Sequence, residues 1–303
     1  MDLSVGMGTD VGRMRSDNED SLYANANRER GLFIVADGMG GHAAGEVASA
    51  MAIDILSQEI SIDDPLERNA PADRIADALR RANDAIYTRT LTEVDKQGMG
   101  TTVSVLFLAG DHYIIGQIGD SRVYLMREGK LRQLTTDHSY VQEQVDAGLL
   151  TPEQARVHPY SNVITRCLGA GASVEPDIYE DDAQEGDIFL LASDGLTGMV
   201  EDSRLLQLLL QKASPSRVVN SLISEANARG GGRQHHGGRR APHRAGIAPR
   251  ADDGGPHGSY RRLRLVGRAP SSRVRSTSRR GVPRQHPVRS RGNGAVAGRT
   301  ATR

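Results

Sequence analysis

Residues 32 to 42 run Leu32-Phe33-Ile34-Val35-Ala36, then Asp37, then Gly38-Met39-Gly40-Gly41-His42. The five apolar residues predict a buried strand. A helical pattern follows, with Val47, Met51 and Ile55 on one face. A carboxylate at the mouth of a buried strand is costly unless positive charge meets it. Glycines beside it let backbone approach whatever sits there. The stretch therefore imposes both a strand-to-helix turn and a site.

Three readings compete for it. Gly38-Met39-Gly40-Gly41-His42-Ala43 fits a loose GxGxxA dinucleotide fingerprint. Asp37 before the first glycine would repel a pyrophosphate, however, and helix-like sequence runs on to about Ile60 with no suitable strand after it. Asp37 could simply cap the helix. A carboxylate ligand for a hard cation fits better, since carboxylate and carbonyl oxygens suit magnesium and manganese.

Charge divides the chain. From Arg229 onward stand 19 arginines, no lysine and two acids, a balance of +17, and residues 1–228 carry −17, for a net charge of zero. Cys167 is the single cysteine, so no intrachain disulfide forms and a reducing, cytoplasmic setting is expected. The start resembles no signal peptide. No apolar run reaches the ~18 residues of a membrane helix.

Helical patterns are predicted at about 44–60, over Ile75, Leu79, Ala82 and Ile86, and over Ser139–Ala147 up to Gly148. Thr151-Pro152-Glu153-Gln154 reads as a capping box with proline at the first helical position. Later helices are expected over Leu205–Leu210, and from Pro215 with Val218, Leu222, Ile223 and Ala226 on one face. Strands are expected at Ser21–Ala24, Thr101–Leu108, Tyr113–Ile118, Val123–Met126, Leu131–Leu134, Val174–Glu180 and Asp187–Ala192. Strands and helices alternate in runs, which argues for α+β layers of antiparallel sheet covered by helices.

Three β-rich runs end in Asp beside Gly: Asp37-Gly38, Gly119-Asp120 and Asp194-Gly195. Any one could be an ordinary turn. Together with the acidic cluster Asp17-Asn18-Glu19-Asp20, they point to carboxylates converging on divalent metal, which can activate water for in-line attack on phosphorus. The sequence holds no Walker lysine motif, HExxH or GxSxG, no Cys-x5-Arg and no zinc-type cluster.

Arg15-Ser16-Asp17-Asn18-Glu19-Asp20-Ser21, Asp37 to His42, Gly100-Thr101-Thr102, Gly119-Asp120-Ser121-Arg122 and Ser193-Asp194-Gly195 resemble, in order and spacing, the PPM (PP2C-type) protein Ser/Thr phosphatases. The likeness is to the bacterial branch, which opposes Hanks-type kinases, and it covers about residues 3–228. It implies a four-layer αββα sandwich, two antiparallel sheets flanked by helices. It further implies that Asp37 bridges two Mn2+ or Mg2+ ions and that the Gly38 carbonyl ligates one of them. Asp194 would ligate the other and, with Asp120, a weaker third. Glu19 and Asp20 would hold metal-bound waters. Arg15 would grip the substrate phosphate, and His42 would protonate the leaving alkoxide or, alternatively, bond the loop backbone. Residues 138–165 would form a flap that influences substrate choice, and Arg122 a structural ion pair. Partners would be phosphoproteins, among them a Ser/Thr kinase and its substrates, met by a monomer.

The likeness fails after residue 228. The family's last ligand comes from a Gly-Asp-Asn motif leading into the final core strand. Here Gly230-Gly231-Gly232 is followed by Arg233-Gln234-His235-His236. The expected organisation is a phosphatase domain over 1–230, lacking its last strand, and a disordered Arg/Gly-rich tail over 231–303. One permitted codon choice for Arg233–His243, read from its second base, encodes Asp-Asn-Ile-Thr-Ala-Val-Val-Val-Arg-Pro, so the tail is compatible with a frameshift. Two other outcomes are a phosphoprotein-binding pseudophosphatase and a protein whose basic tail binds nucleic acid. The second is disfavoured by a tail with one aromatic residue, Tyr260.

Overall fold

The computed structural model describes residues 3–11, 18–40, 43–63, 70–230 and 261–268. In chain order its elements are β1 (Leu3–Asp10), β2 (Asp20–Ala26), β3 (Arg30–Met39), α1 (Ala43–Glu59), α2 (Ala70–Thr92), β4 (Gly100–Thr101), β5 (Val103–Ala109), β6 (His112–Ile118), β7 (Arg122–Arg127) and β8 (Lys130–Gln133). Then come α3 (Tyr140–Asp146), α4 (Pro152–Arg156), β9 (Asp177–Asp182), β10 (Ile188–Ala192), α5 (Asp194–Thr197), α6 (Asp202–Leu209), α7 (Pro215–Gly230) and β11 (Arg261–Arg268).

The strands form two antiparallel sheets. One has the order β1-β11-β10-β7-β8, and the other runs β2-β3-β5-β6-β9 with β4 paired to β3. Strand β3 shows why they stack. Leu32, Ile34 and Ala36 face one cluster with α1 and α2, while Phe33 and Val35 face another with Val123, Leu125, Phe189 and Leu191 of the opposite sheet. A strand buried on both faces has to be apolar throughout, as 32–36 is. Beyond the second sheet, Tyr124, Leu190 and Ala192 pack against Leu205, Val218, Leu222 and Ala226 of α6 and α7. Helices, sheet, sheet and helices give the four layers expected from the resemblance.

The helical faces fall where periodicity places them. Ile75, Leu79, Ala82 and Ile86 are fully buried. Thr151 caps α4 through the expected capping box, with proline in the first turn. Strand β9 begins at Asp177 rather than Val174, because its ladder with β6 starts at Asp177 opposite Gln117. Strand β1 had no counterpart in the sequence reading. Its half-buried residues and two glycines give little alternation.

The expected loss of the last strand needs correction. Arg261–Arg268 lies between β1 and β10, pairing Leu3 with Arg268 and Ala192 with Leu263. Without it, both neighbours would present unpaired N–H and C=O groups inside the sheet, a demand any extended segment can meet through its backbone. This strand belongs to the same unit, Met1–Ser271, as the rest of the sandwich. The remainder of the tail, and the proline loop at Pro65, lie outside the described residues.

A chain ending at Gly230 tests this assignment. Loss of two backbone ladders, each bond worth ~0.5–1.5 kcal/mol net, should lower stability by about 3 kcal/mol or more. For a domain of this size that is ~6–12 °C in Tm. An unchanged melting temperature would show that Arg261–Arg268 contributes nothing to the sheet.

Candidate metal centre

The site is built where the two sheets end together. Strands β2 and β3 pair so that Asp20 stands directly opposite Asp37. Glu19 immediately precedes β2, and its carbonyl accepts from Gly38 N–H at 3.1 Å and from the Ser49 hydroxyl. Asp194 opens α5 directly after β10 of the other sheet. Asp120 sits in the Gly119–Ser121 link that carries the chain from β6 in one sheet to β7 in the other. Asp20, Glu19 and Asp120 are buried, and Asp37 and Asp194 are half-buried.

Backbone placement is tight. A Cβ at Gly38 would overlap the carbonyl oxygens of Gly45 and Glu19, so only glycine fits where β3 meets α1. The Asp37 peptide is held from both sides. Its N–H donates to Thr102 Oγ1 at 3.1 Å, and its carbonyl accepts from Thr102 N–H and Thr101 Oγ1, both at 2.9 Å. Thr102 in turn shares a 2.8 Å hydrogen bond with Ser121. The buried Gln117 amide donates to Gly119 O at 2.9 Å and Ser121 O at 2.7 Å, fixing the turn around Asp120. Sequence reasoning assigned no role to Thr102, Ser121 or Gln117. The signal for Gln117 was present: an amide within the apolar run Tyr113–Ile118 needs a buried partner.

The carboxylates feel one another. Burial first, then repulsion from Asp20 and Asp194, holds the Asp37 carboxyl well above the ordinary carboxylate range; a hydrogen bond with Asp20 and repulsion from Asp120 add to it. Asp120 is raised by burial first, then by Asp194 and Asp137, with Arg122 opposing. Arg122 itself is engaged as a fork with Asp137, at 2.9 Å through Nε and 2.6 Å through Nη2, which is the structural ion pair expected.

Of the residues singled out from sequence, the structure thus brings Asp20, Asp37, Asp120 and Asp194 into one electrostatic cluster, with Glu19 and Gly38 joined to it by backbone. Arg15 and His42 lie outside the described residues. Among the described residues no three His, Cys, Asp or Glu side chains close on a single point as they stand. An all-oxygen donor set, buried or half-buried, fits a hard divalent ion.

The cluster predicts a sign for stability. A carboxyl raised in the folded state stabilises fully below its unfolded pKa of ~3.9 and ceases to as pH rises through the folded value. Metal-free protein should therefore gain stability from Asp37→Asn at pH 8, and gain less at pH 5. Urea unfolding in a chelator measures it. A variant less stable than the parent at pH 8 would contradict the repulsion.

The geometry has relatives. The family model for protein phosphatase 2C matches residues 7–224. The chain is 42% identical over 230 residues to the Ser/Thr protein phosphatase PstP of Mycobacterium tuberculosis, covering 76% of this chain and 43% of that protein. It thus spans less than half the length of that relative. It is 40% identical over 228 residues to the Ser/Thr phosphatase stp of Listeria monocytogenes, covering 74% and 89%. Among solved structures, the Ser/Thr phosphatase of S. agalactiae superposes with a TM-score of 0.74 at 33% identity, covering 88% of this chain and 99% of that one. The catalytic domain of PstP in complex with two manganese ions gives 0.70 at 34%, covering 88% and 97%. The chain belongs to the protein phosphatase 2C family.

Proposed function

We propose that this chain is a protein Ser/Thr phosphatase whose carboxylate cluster holds a pair of Mn2+ or Mg2+ ions, with room for a weaker third. The observation that carries the reading is the convergence of Asp20, Asp37, Asp120 and Asp194 from both sheets, where burial and repulsion between carboxylates raise Asp37 and Asp120. A relative solved with two manganese ions supports the stoichiometry. Asp37 and the Gly38 carbonyl would hold one ion, Asp37 and Asp194 the other, and Asp120 with Asp194 the third. Glu19 and Asp20 would orient waters around them. The ions, when bound, supply the positive charge and the acidified water that phosphate ester hydrolysis requires.

The chain's own groups would do the rest. Arg15 grips two phosphate oxygens through its planar fork and so orients phosphorus for attack. His42 delivers a proton to the leaving alkoxide oxygen. Both roles rest on sequence position. The substrates would be phosphoserine and phosphothreonine proteins, a Ser/Thr kinase and its targets among them, met by a monomer through the 138–165 segment.

The C-terminal region is read as an out-of-frame tail. Thirty residues separate the end of α7 from the start of β11, where connections in compact domains run about 4–6. No acidic residue stands in or directly before β11, so the family's last ligand is absent and activity would be impaired. Complete loss would leave a phosphoprotein-binding protein.

Hydrolysis of a phosphoserine peptide under saturating Mn2+ tests the reading. Asp194→Asn should lower turnover by at least a hundredfold, and addition of a chelator should abolish it. Undiminished turnover in that variant would end the metal-site assignment. In the same assay, a gene with one base removed at the Arg233 codon should outperform the chain as written; equal rates would overturn the out-of-frame reading.

A further inference from the structure

His138 is 6% exposed and reaches the Asp120 turn by two routes. Its backbone N–H donates to the Gly119 carbonyl at 3.0 Å, and the Gly119 N–H donates to its ring Nδ1, also at 3.0 Å. The peptide it brackets requires glycine: Gly119 sits at φ +101°, with Thr102 occupying the space a Cβ would need. An acceptor at Nδ1 places the ring proton on Nε2, which donates to Asp177 Oδ2 at 3.0 Å. Asp177 is held in turn by Arg166 Nη1 at 2.6 Å and by the Tyr179 hydroxyl at 3.3 Å. Arg166 Nη1 also lies 3.1 Å from Nε2, and as a second donor there it points its proton at Asp177 instead.

The same histidine closes the base of the segment carrying α3 and α4. Thr165 N–H donates to the His138 carbonyl at 2.9 Å, Tyr140 N–H to the Val163 carbonyl at 2.8 Å, and Ser139 bridges Ile164. That segment exposes Leu149, Val157, Tyr160 and Val163. One residue therefore joins the Asp120 turn and the start of β9 through its ring and the root of an exposed apolar segment through its backbone.

We propose that His138 is a positioning residue for the metal centre: through Gly119 its ring fixes the peptide that aims the Asp120 carboxylate, and its backbone ties that peptide to the base of segment 139–165. This rests on the reading of Asp120 as a metal-associated carboxylate. The ring works by accepting at the δ position, whereas its ε contact with Asp177 only orients it. The two functions separate by substitution. Asn carries a polar atom at the distance of Nδ1, and Gln one at the distance of Nε2.

The test uses the full chain, stripped of metal, with Mn2+ titrated calorimetrically and amide exchange followed at Gly119. Asp120→Asn identifies the binding event that depends on Asp120. His138→Gln should weaken that event about 10–100-fold, as loss of an outer-shell partner typically does, and leave Gly119 unprotected. His138→Asn should restore affinity and protection towards those of the parent. Parental Mn2+ affinity in His138→Gln, or an Asn variant as weak as the Gln one, overturns the proposal. If Gln proves unstable, Gly119 exchange in the Asn variant decides alone: protection supports the acceptor role and exposure refutes it. Should Asp120→Asn leave Mn2+ binding unchanged, the metal reading of Asp120 fails, and that is distinguishable because no Asp120-dependent event then exists to measure.

Discussion

Asp20 and Asp37 face one another across the β2–β3 ladder, a position where like charges destabilise a sheet by ~0.2–1 kcal/mol even when exposed. Here the pair is joined by Asp120 and Asp194, in surroundings where burial is the largest cost to the charged forms. A fold assembled for stability alone would not collect these groups. The two sheets bring them to one end, because β3 and β6 finish there in one sheet and β7 starts and β10 finishes there in the other. The sandwich is thus a frame that gathers mutually repelling carboxylates at one end of both sheets.

The frame has to be stiff to do this. Phe33, Phe107, Tyr124 and Phe189 are among its largest fully buried side chains, each worth ~1.5–3 kcal/mol or more on burial. Tyr113 packs edge-on against Phe189 across the inter-sheet space, ring centroids 5.1 Å apart. Near the site apolar packing gives way to hydrogen bonds. Ser104, Gln117, Ser121, Thr102 and Thr101 form a buried chain that satisfies the backbone of both Asp37 and the Asp120 turn. Such a network, fully paired, specifies one arrangement more sharply than apolar contact does.

How much of this could be read in the sequence depended on whether the determinant was local. The strand Leu32–Ala36 was legible because burial on both faces forces a continuous apolar run. The α4 start was legible because its cap is written into four consecutive residues. Asp37, Asp120 and Asp194 were legible as a repeated strand-end pattern, though nothing local said they would meet. Strand β1 was not legible, its burial being partial and interrupted by glycine. Strand β11 was missed because its place is set by the unpaired edges of β1 and β10, a demand its own Arg-rich sequence does not reveal. His138 was missed as well: its partners Gly119 and Asp177 lie 19 and 39 residues away in the chain, with no periodicity to connect them.

The central claim is that a cation relieves the carboxylate repulsion, and proton release on binding tests it most directly. Calorimetric titration of Mn2+ into the metal-free chain at one pH, in buffers of different ionisation enthalpy, counts the protons displaced. Because Asp37 and Asp120 hold protons above the ordinary carboxylate range, binding should expel protons at mildly acidic pH, and Asp37→Asn should reduce both the number and the affinity. Binding with no proton release at that pH, undisturbed by Asp37→Asn, would contradict the account.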